Sequence, residues 1–403
     1  MRDLAYFGGA RLIKDDVITP WPAPEDSHHL ALKSVIKTGK YHRVNHPVVK
    51  DFEQKLKTFS GLSNVSAVGS GSAAVHIALD YFSAGRQKGV VSALNWPGAV
   101  AGLIHCQIEP VFVDVDLATA CMSDEATANQ ISLNSLVINT HLFGNYSKID
   151  DTRKIARGLD VPVIDDCAQA IGAARQITVC AQEATIAISG NGAKHLGAGE
   201  LGALCSTHVG VIEHVDRVSL SSSSRNGDRV FSPSTKGYNF RPNVFSAAIA
   251  AQRLSGIESQ ISVRRANALR LATRLSALNG IVPIFNMEDD HNSFCSAAFR
   301  FDFDEMDLPW DEHIRDRLVD VLSAEGVPIG VWLRRPVWDF LPSIRVARSL
   351  HEFPNTGKLL SSMFYVSEVA PPNDFRVMDE IAAGFEKVWG EIKNIRHFLM
   401  QGK

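Results

Sequence analysis

The segment Ile188 to Leu204, ISGNGAKHLGAGELGAL, contains five glycines around one lysine, Lys194. A lysine acts as a nucleophile when burial or nearby positive charge keeps part of its amine neutral near physiological pH. Glycines let the backbone fold closely around a ligand without side-chain clashes. Taken alone, the segment fits an exposed lysine in a flexible turn better, because most lysines are exposed. A chemical role for Lys194 therefore requires other polar residues at the same place.

Two carboxylates and a glutamine lie at the end of a strand-like apolar run earlier in the chain. In VIDDCAQAIG an apolar run leads into Asp165 and Asp166, and Gln169 comes three residues later. Neighbouring residues of a strand point to opposite faces, so one carboxylate is expected to face a site while the other has a structural role. Ser189 ends the run that precedes residues 190–201, which contain Lys194 and which we call the lysine loop. In a parallel sheet these residues would lie at the carboxyl ends of strands, where ligands gather.

Two further segments suit a phosphate and a flat ring. In GSGSAAVHIAL, the residues from Gly69 to Ser72 lead directly into a helix, where small residues let the first N–H groups approach a phosphate. The alternative is a simple helix cap, since such turns are common. In LNWPGAV, Trp96 follows a strand-like run and precedes Pro97, which suits the first turn of a helix. Trp96 would either stack on a flat ring or lie in the core.

The elements that would position these residues alternate regularly between Asn64 and Ser206. Short β-branched runs are separated by stretches with helical spacing, which predicts a mostly parallel sheet covered by helices on both faces. The seven runs are Val65–Val68, Val90–Leu94, Pro110–Val115, Leu136–His141, Val161–Asp165, Thr185–Ser189 and Ala203–Ser206. We therefore predict an α/β fold with a large domain, residues 1–260 including an amino-terminal arm, and a smaller α+β domain, residues 261–403.

Two helices are expected to flank the sheet region. Apolar residues recur at spacings of three and four between Val49 and Phe59, which indicates a helix with one apolar stripe. The segment Asn243–Ser262 contains AAIAAQ and is rich in strong helix formers, which predicts one further helix.

Composition limits the classes of protein that fit. The 403 residues are 45% hydrophobic, their formal net charge is −3, and no long charged run indicates a nucleic-acid or membrane partner. The amino terminus lacks an apolar signal core and no stretch reaches the roughly 20 apolar residues of a membrane helix, so we expect a cytoplasmic protein. Six scattered cysteines have no zinc-like spacing, and Pro47 argues against a helix that would align His42 with His46. We therefore expect no metal site.

One ligand would use all of these groups. Pyridoxal 5′-phosphate has a phosphate that suits the helix start at Ser72 together with Ser189, and a flat ring that suits Trp96. Its ring nitrogen needs an acidic partner to stay protonated, and its aldehyde needs a lysine. Each signal is weak alone, but their order along the chain and their places at strand ends make coincidence a poor explanation.

The same segments resemble the DegT-type sugar aminotransferases, pyridoxal-phosphate enzymes of fold type I. The resemblance covers nearly the whole chain and is carried by VGSGSAAVHIAL, EPVFVDVD, INTHLFGNYSKID, VIDDCAQAIGA, SGNGAKHLGAGELGAL and KGYNFRPNVFSAAIAAQRL. It implies that Lys194 binds the cofactor covalently and that Asp166, rather than Asp165, faces the ring nitrogen. The resemblance also assigns the remaining cofactor-binding residues, which are Gly71, Ser72, Ser189 and Gln169 at the phosphate or ring oxygen and Trp96 on the ring.

A homodimer with shared active sites is implied as well, because the GYNFR segment of the family crosses the subunit interface. Asn239 would then contact the phosphate bound in the neighbouring subunit. Arg241 would lie near the substrate entrance, where it could bind the carboxylate of the amino donor, although an arginine after a turn is as often a surface residue.

The opening of the chain, with TPWPAPED and IKTGKYHRVNHPVVKDFE, resembles the branch that acts on cyclitols and in aminohydroxybenzoate formation. Related dehydratases carry histidine at the lysine position, whereas this chain has Lys194 followed by His195, which favours transamination. We expect transfer of an amino group from glutamate or glutamine to a keto-sugar, often nucleotide-linked, or a keto-cyclitol, in amino-sugar or secondary-metabolite biosynthesis. The alternatives are an enzyme of the same fold that performs dehydration, elimination or ring formation, and a non-catalytic regulatory homologue.

The chain departs from the family pattern at three places. Gly190 replaces an aromatic residue, and Leu201 interrupts the usual Gly-Glu-Gly-Gly run. Near the carboxyl end, SSMFYVSEV stands in place of a leucine-proline-leucine-histidine-like segment. These changes bear mainly on substrate identity, and Gly190 would either loosen the lysine loop or make room for a bulkier substrate.

Overall fold

The computed structural model describes residues 2–43, 45–219, 237–341 and 349–401. Its larger sheet has seven strands in the order β1-β7-β6-β5-β4-β2-β3. These strands are β1 (Asn64–Val68), β2 (Lys88–Ser92), β3 (Glu109–Val113), β4 (Ser135–Thr140), β5 (Val163–Asp166), β6 (Thr185–Ser189) and β7 (Gly202–Ser206). Each lies within a few residues of the run predicted for it.

The direction of the strands confirms the predicted α/β class. The pairs β3–β2, β2–β4, β4–β5 and β5–β6 are parallel, whereas β7 is antiparallel to both of its neighbours, β1 and β6. Every residue of β4, β6 and β7 is buried. Strands that are buried along their whole length are typical of a sheet covered by helices on both faces.

The described part of the chain contains fourteen α-helices. They are α1 (Asp26–Thr38), α2 (Pro47–Ser60), α3 (Gly71–Phe82), α4 (Pro97–His105), α5 (Asp124–Ala128), α6 (Asp150–Gly158), α7 (Ala173–Cys180), α8 (Val209–Ser219), α9 (Val244–Ser255), α10 (Ile257–Leu275), α11 (Glu312–Ala324), α12 (Pro354–Ser362), α13 (Phe375–Gly390) and α14 (Ile392–Met400). Among the described residues, no helix combines the length and apolar composition that crossing a membrane requires.

Helix α2 shows how local sequence defines an element. Pro47 occupies its first turn, and His46 Nδ1 accepts the Val48 N–H at 3.3 Å, so His46 acts as a helix cap. Gly61 ends the helix with a left-handed φ of 74°. The apolar stripe between Val49 and Phe59 is buried, as the spacing of three and four predicts.

The predicted helix over Asn243–Ser262 is wrong in one respect, because the chain divides there into two helices. Helix α9 ends at Ser255 and α10 begins at Ile257. Gly256 lies between them with φ −113° and ψ 10°, outside the helical region. Glycine disfavours a continuous helix by about 1 kcal/mol relative to alanine, which makes it the natural place for the break.

A second, antiparallel sheet lies in the carboxyl-terminal part of the chain. Its four strands have the order β10-β11-β9-β8. They are β8 (Ile281–Pro283), β9 (Ala297–Phe301), β10 (Ile329–Gly330) and β11 (Met363–Val366). The apolar cluster around this sheet also contains Leu4 and Ile13, so the first residues of the chain pack with its last third. The division into domains at residue 260 stays a prediction.

Asp114, in the EPVFVDVD segment, connects the two sheets. It follows β3 and caps the start of α12, which precedes β11. Its carboxylate accepts the N–H of Asn355 at 2.9 Å, the N–H of Thr356 at 2.8 Å and the Thr356 hydroxyl at 2.7 Å. A carboxylate is stabilised at a helix amino terminus by the unpaired N–H groups and the helix dipole.

We expect Asp114→Ala to lower the free energy of unfolding by roughly 1–3 kcal/mol, because the N–H groups at the start of α12 lose their acceptor. Urea denaturation measures the change. The matched control is Asp116→Ala, since the exposed Asp116 accepts N–H groups only within its own turn, from Ala118 and Thr119. A loss for Asp114→Ala no larger than that of the control would contradict a role for Asp114 between the sheets.

Candidate active site

The two carboxylates at the end of β5 have different surroundings. Asp165 is fully buried, and its Oδ1 accepts hydrogen bonds from Arg153 Nη2 at 2.6 Å, Asn139 Nδ2 at 2.9 Å and His141 Nε2 at 3.1 Å. Burial raises the pKa of Asp165, but Arg153 and His141 outweigh burial and hold that pKa at about 2. Asp165 is therefore an ionised structural group with three donors.

Asp166 is also buried but has fewer partners. Its Oδ1 accepts the Ala168 N–H at 3.0 Å. Burial raises the pKa of Asp166, and the Ala168 N–H, His141 and the Lys194 amine oppose that rise only in part. Asp166 pairs with Ala187 of the parallel strand β6, so the end of β5 lies at the same edge of the sheet as the start of the lysine loop, and Lys194 interacts electrostatically with Asp166. A buried carboxylate with a raised pKa gains from a nearby cation.

The lysine loop is a compact turn with its own hydrogen bonds. Ser189 Oγ accepts the Asn191 N–H at 3.2 Å, and the Lys194 carbonyl accepts the Gly197 N–H at 2.9 Å. Lys194 itself is half-buried. Within residues 2–43, 45–219, 237–341 and 349–401, no hydrogen bond or ion pair of Lys194 Nζ is found. The Lys194 amine interacts electrostatically with the Asp166 carboxylate.

The start of α3 lies against the end of β6. Ser70 Oγ accepts the Ala73 N–H at 3.1 Å, so the simple cap is formed. A Cβ on Gly71 would lie only 2.9 Å from Ser189 Cβ, which explains why a glycine begins this helix. The first N–H groups of a helix have no acceptor within it, so α3 offers donors for an anion beside Ser189.

Trp96 lies beside the same helix start and is not a core residue. Its side chain is 52% exposed. A Cβ on Gly98 would lie 2.6 Å from Ser72 Oγ and 2.7 Å from Trp96 Nε1, so the serine and the indole are adjacent. The Trp96 N–H donates to Asn95 Oδ1 at 2.7 Å, which fixes the turn. The exposed indole therefore lies beside the hydroxyl of Ser72 at the start of α3.

Gln169 lies in the interior of the protein, whereas Asn239 and Arg241 of the GYNFR segment lie at its surface. Gln169 is buried, and its Oε1 accepts the Phe143 N–H at 2.8 Å at the end of β4. Asn239 and Arg241 are exposed, while the Phe240 carbonyl between them accepts the Gly69 N–H at 2.8 Å. The segment thus packs against the turn before α3 and leaves both polar side chains facing outward. The roles of all these residues in cofactor binding stay predictions.

Asp165 is held by a network of polar side chains that no single sequence motif indicates. Ser147 N–H donates to His141 Nδ1 at 3.0 Å, so the His141 proton lies on Nε2 and points to Asp165. Ser147 Oγ also donates to Asn139 Oδ1 at 2.7 Å. Asn139, His141 and Ser147 all lie in INTHLFGNYSKID, a segment noticed only for its family resemblance. Pairing of β4 with β5 is what brings it beside Asp165.

The two departures in the lysine loop, Gly190 and Leu201, contact each other. The Gly190 N–H donates to the Leu201 carbonyl at 2.7 Å, and the Gly190 carbonyl accepts the Ala198 N–H at 2.8 Å. A Cβ on Gly190 would lie 2.9 Å from Leu201 Cβ. The fully buried Leu201 side chain therefore fills the space beside Gly190, which offers no room there for a bulkier substrate.

We expect Gly190→Phe to lower the free energy of unfolding by roughly 1–3 kcal/mol through overpacking against Leu201. Adding Leu201→Gly is expected to recover part of that loss, giving a coupling energy of at least about 1 kcal/mol in a double-mutant cycle. Gly192→Phe is the matched control, because a Cβ on Gly192 meets no heavy atom within 4 Å. Additive effects of the changes at positions 190 and 201 would contradict the contact.

The described residues contain no group of three or more histidine, cysteine, aspartate or glutamate side chains that could hold a metal ion. The candidate site brings together a lysine, a buried carboxylate, hydroxyl groups and helix N–H groups at the carboxyl ends of parallel strands. Such a set is typical of α/β enzymes, whose ligands bind at this edge of the sheet.

The chain belongs to the DegT/DnrJ/EryC1/StrS aminotransferase family, whose model matches residues 24–368. The resemblance inferred from the motifs is confirmed, and transfer of an amino group is the reaction class of the protein. Among its relatives, the 3-amino-5-hydroxybenzoate synthase of Amycolatopsis mediterranei (strain S699) is 28% identical over 359 residues, which cover 86% of this chain and 90% of that protein. The L-glutamine:scyllo-inosose aminotransferase of Streptomyces griseus is 28% identical over 68% of each chain.

Solved structures share the fold. The crystal structure of 3-amino-5-hydroxybenzoic acid synthase matches with a TM-score of 0.81 at 23% identity, covering 94% of this chain and 100% of that one. A putative sugar aminotransferase from Streptococcus pneumoniae, in its PLP form, matches with a TM-score of 0.80 at 15% identity, covering 93% of this chain and 99% of that one. The predicted fold type is confirmed by these neighbours.

Proposed function

We propose that this aminotransferase uses pyridoxal 5′-phosphate and transfers the amino group of glutamine or glutamate to a keto-cyclitol or keto-sugar. The observation that carries the proposal is the convergence of Lys194, a half-buried amine, with Asp166, a buried carboxylate of raised pKa. A protonated ring nitrogen is the kind of cation that such a carboxylate favours. The name of the Streptomyces griseus relative, with L-glutamine and scyllo-inosose as its substrates, supports the choice of donor and acceptor class.

The proposed chemistry divides between Lys194 and Asp166. When bound, the cofactor supplies an electron sink for negative charge at the α-carbon of the donor. Lys194 Nζ would hold the cofactor through its aldehyde, and its free amine would take the proton from that α-carbon as a base and return it as an acid. Asp166 keeps the proton on the ring nitrogen, so the site remains positively charged where negative charge develops.

The remaining proposed contacts hold the cofactor in place. Gly71, Ser72 and Ser189 bind its phosphate, which is supported by the close approach of the start of α3 to the end of β6. Trp96 stacks on its ring, which is supported by the exposure of the indole beside Ser72. Gln169 binds the phosphate or ring oxygen.

A homodimer with shared sites is part of the proposal. The exposed side chains of Asn239 and Arg241 support it, because both stand on a segment that packs against the turn before α3. Asn239 of each subunit reaches the phosphate in the neighbouring subunit, and Arg241 binds the carboxylate of the donor. Sedimentation velocity tests this part, and a fully active monomer would exclude it. The cytoplasmic location stays a prediction.

The proposed function is tested with glutamine labelled with ¹⁵N on its α-amino group. The purified protein, supplied with pyridoxal phosphate, is given a keto-cyclitol, a nucleotide-linked keto-sugar and a simple keto acid in separate reactions. Mass spectrometry is expected to find ¹⁵N in the product from a cyclic ketone acceptor. Absence of label from all three acceptors, with no keto acid formed from glutamine, would overturn the proposal.

Dehydration, elimination or ring formation is the second candidate, and the synthase among the relatives supports it. His195 does not provide the catalytic base for dehydration, elimination or ring formation. Its Nε2 lies 2.9 Å from the Ser293 carbonyl, and burial together with the Arg264 charge lowers its pKa to about 3. The same mass spectra distinguish the reactions, because elimination gives a product that has lost water and carries no label. A regulatory homologue would give neither product.

A further inference from the structure

The amino-terminal arm, through Trp21 and Pro22, contacts the backbone of the lysine loop. Trp21 Nε1 donates to the Lys194 carbonyl at 2.9 Å, and the Gly197 N–H donates to the same oxygen at 2.9 Å. Gly197 has a left-handed φ of 47°, and a Cβ there would lie 2.9 Å from Pro22 Cβ and 3.2 Å from Trp21 Cζ2. One glycine of the loop is thus required by the arm that packs on it.

Trp21 is itself held firmly. Its N–H donates to Glu368 Oε2 at 3.0 Å, and the guanidinium groups of Arg253 and Arg264 lie 4.4 and 4.6 Å from its ring centroid. Such cation–π contacts are strongest where water is excluded, and Arg264 is fully buried. We call Trp21, Arg253 and Arg264 the arm clamp. Burial lowers the pKa of Arg264 only to about 10, so the clamp keeps its charge at neutral pH.

His195, the residue after Lys194, is also held by hydrogen bonds to distant parts of the chain. Gln260 Nε2 donates to the His195 carbonyl at 3.1 Å, and the His195 ring bonds to the Ser293 carbonyl. Two consecutive carbonyls, those of Lys194 and His195, therefore receive side-chain donors from distant parts of the chain. These bonds fix where the side chain of Lys194 begins, while its amine has no such restraint among the described residues.

We propose that Trp21 is a positioning residue for Lys194, acting through the Lys194 carbonyl to keep the amine within reach of the group it reacts with beside Asp166. This inference rests on the proposed function of Lys194. Without the indole N–H, the backbone of the loop keeps only the Gly197 hydrogen bond at that oxygen. Small misplacements of a reacting group slow a reaction strongly, because productive geometry is reached less often.

The test compares Trp21→Phe with Trp389→Phe in the full-length protein. Both changes keep an aromatic ring and remove an indole N–H that donates to a carbonyl at 2.9 Å, Trp389 bonding to the Asn279 carbonyl remote from the lysine loop. The first readout is hydrogen–deuterium exchange of residues 190–201 before cofactor is added. The second is the rate at which added pyridoxal phosphate becomes trapped on Lys194 by borohydride. The third is the separate change in kcat and in KM for glutamine.

We expect Trp21→Phe to speed exchange in residues 190–201, to slow trapping roughly 3- to 30-fold and to lower kcat with little change in KM. Trp389→Phe is expected to change none of these. Exchange and trapping in Trp21→Phe equal to those of Trp389→Phe would overturn the inference while leaving the proposed function intact. Failure of the unaltered protein to form the adduct would instead overturn the proposed function, and the exchange data would still decide whether Trp21 orders the loop.

If Trp21→Phe does not fold, Arg253→Met provides the second test. It removes one cation of the arm clamp but keeps the indole donor and an apolar stem. A smaller rise in exchange of residues 190–201 is expected. Exchange equal to that of the unaltered protein would overturn a role for the clamp.

Discussion

Lys194→Ala is expected to abolish amino transfer, with a fall in kcat of at least roughly 10³-fold, while the fold is retained. The change removes both the nucleophile and the group that carries the proton. The fold should survive because the hydrogen bonds of the lysine loop are made by backbone atoms, including Gly197 N–H to the Lys194 carbonyl at 2.9 Å. Borohydride reduction followed by peptide mass spectrometry is expected to find the cofactor adduct on Lys194 in the unaltered protein only.

Lys194→Arg separates charge from nucleophilicity. Arginine keeps a positive charge beside Asp166, but its guanidinium stays protonated and does not attack an aldehyde. We therefore expect this variant to be as inactive as Lys194→Ala and to form no adduct. Activity retained in either variant, or an adduct found on another lysine, would contradict the assignment of Lys194.

Asp166→Asn is expected to lower kcat roughly 10²- to 10³-fold without lowering stability. The amide cannot hold a positive charge on the cofactor ring, so the developing negative charge loses its stabilisation. Stability should be kept or increased, because burial raises the pKa of Asp166 and the ionised carboxylate is unfavourable in its surroundings. A carboxylate with a raised folded pKa destabilises the folded state at pH values above that pKa, and the penalty disappears as the pH falls below the ordinary value, so any gain from Asp166→Asn should be largest at neutral pH.

Asp165→Asn is the matched control one residue away, and its expected effects are opposite. The pKa of Asp165 is about 2 in the folded protein, below the ordinary value of about 3.9. Its ionised form therefore contributes roughly 2–3 kcal/mol at pH values above the ordinary pKa, and the contribution disappears as the pH falls through the folded value. Asp165→Asn should destabilise the protein at neutral pH, with a smaller direct effect on kcat for the fraction that is folded.

Denaturation curves at several pH values, combined with steady-state kinetics, distinguish the two carboxylates. The expected pattern is a stable, inactive Asp166→Asn and a destabilised but active Asp165→Asn, with the stability gap of the latter closing in acid. If kcat is lost in Asp165→Asn and kept in Asp166→Asn, Asp165 is the partner of the ring and the roles proposed for the end of β5 are reversed.

Much of the fold could be predicted because local periodicity reports burial. Seven β-branched runs separated by helical spacing became the seven strands of the larger sheet, since strands buried on both faces leave a continuous apolar signature. The spacing of apolar residues between Val49 and Phe59 also predicted helix α2. The break at Gly256 was missed, because the strong helix formers around one glycine outweighed its effect in the pattern.

The candidate site was predictable for the residues that lie directly at strand ends. Asp166, Ser189 and the turn before Lys194 follow from the position of β5 and β6, because parallel neighbours bring their carboxyl ends together. The supporting residues were not predictable. Asn139 and His141 hold Asp165 across two strands, and Trp21 reaches Lys194 over 173 positions in the chain.

By itself, the sequence determined the class of fold and the seven strands of the larger sheet, and it predicted which groups are reactive, because these inferences depend on periodicity and on residue type. Only the tertiary structure decided which carboxylate is neutralised by Arg153 and which is left near Lys194, and that Leu201 fills the space beside Gly190. It also placed an indole from the amino-terminal arm on the lysine loop. The physical reason is that hydrogen bonding and packing between distant segments leave no periodic signal in the chain, yet they set the charge and position of each group.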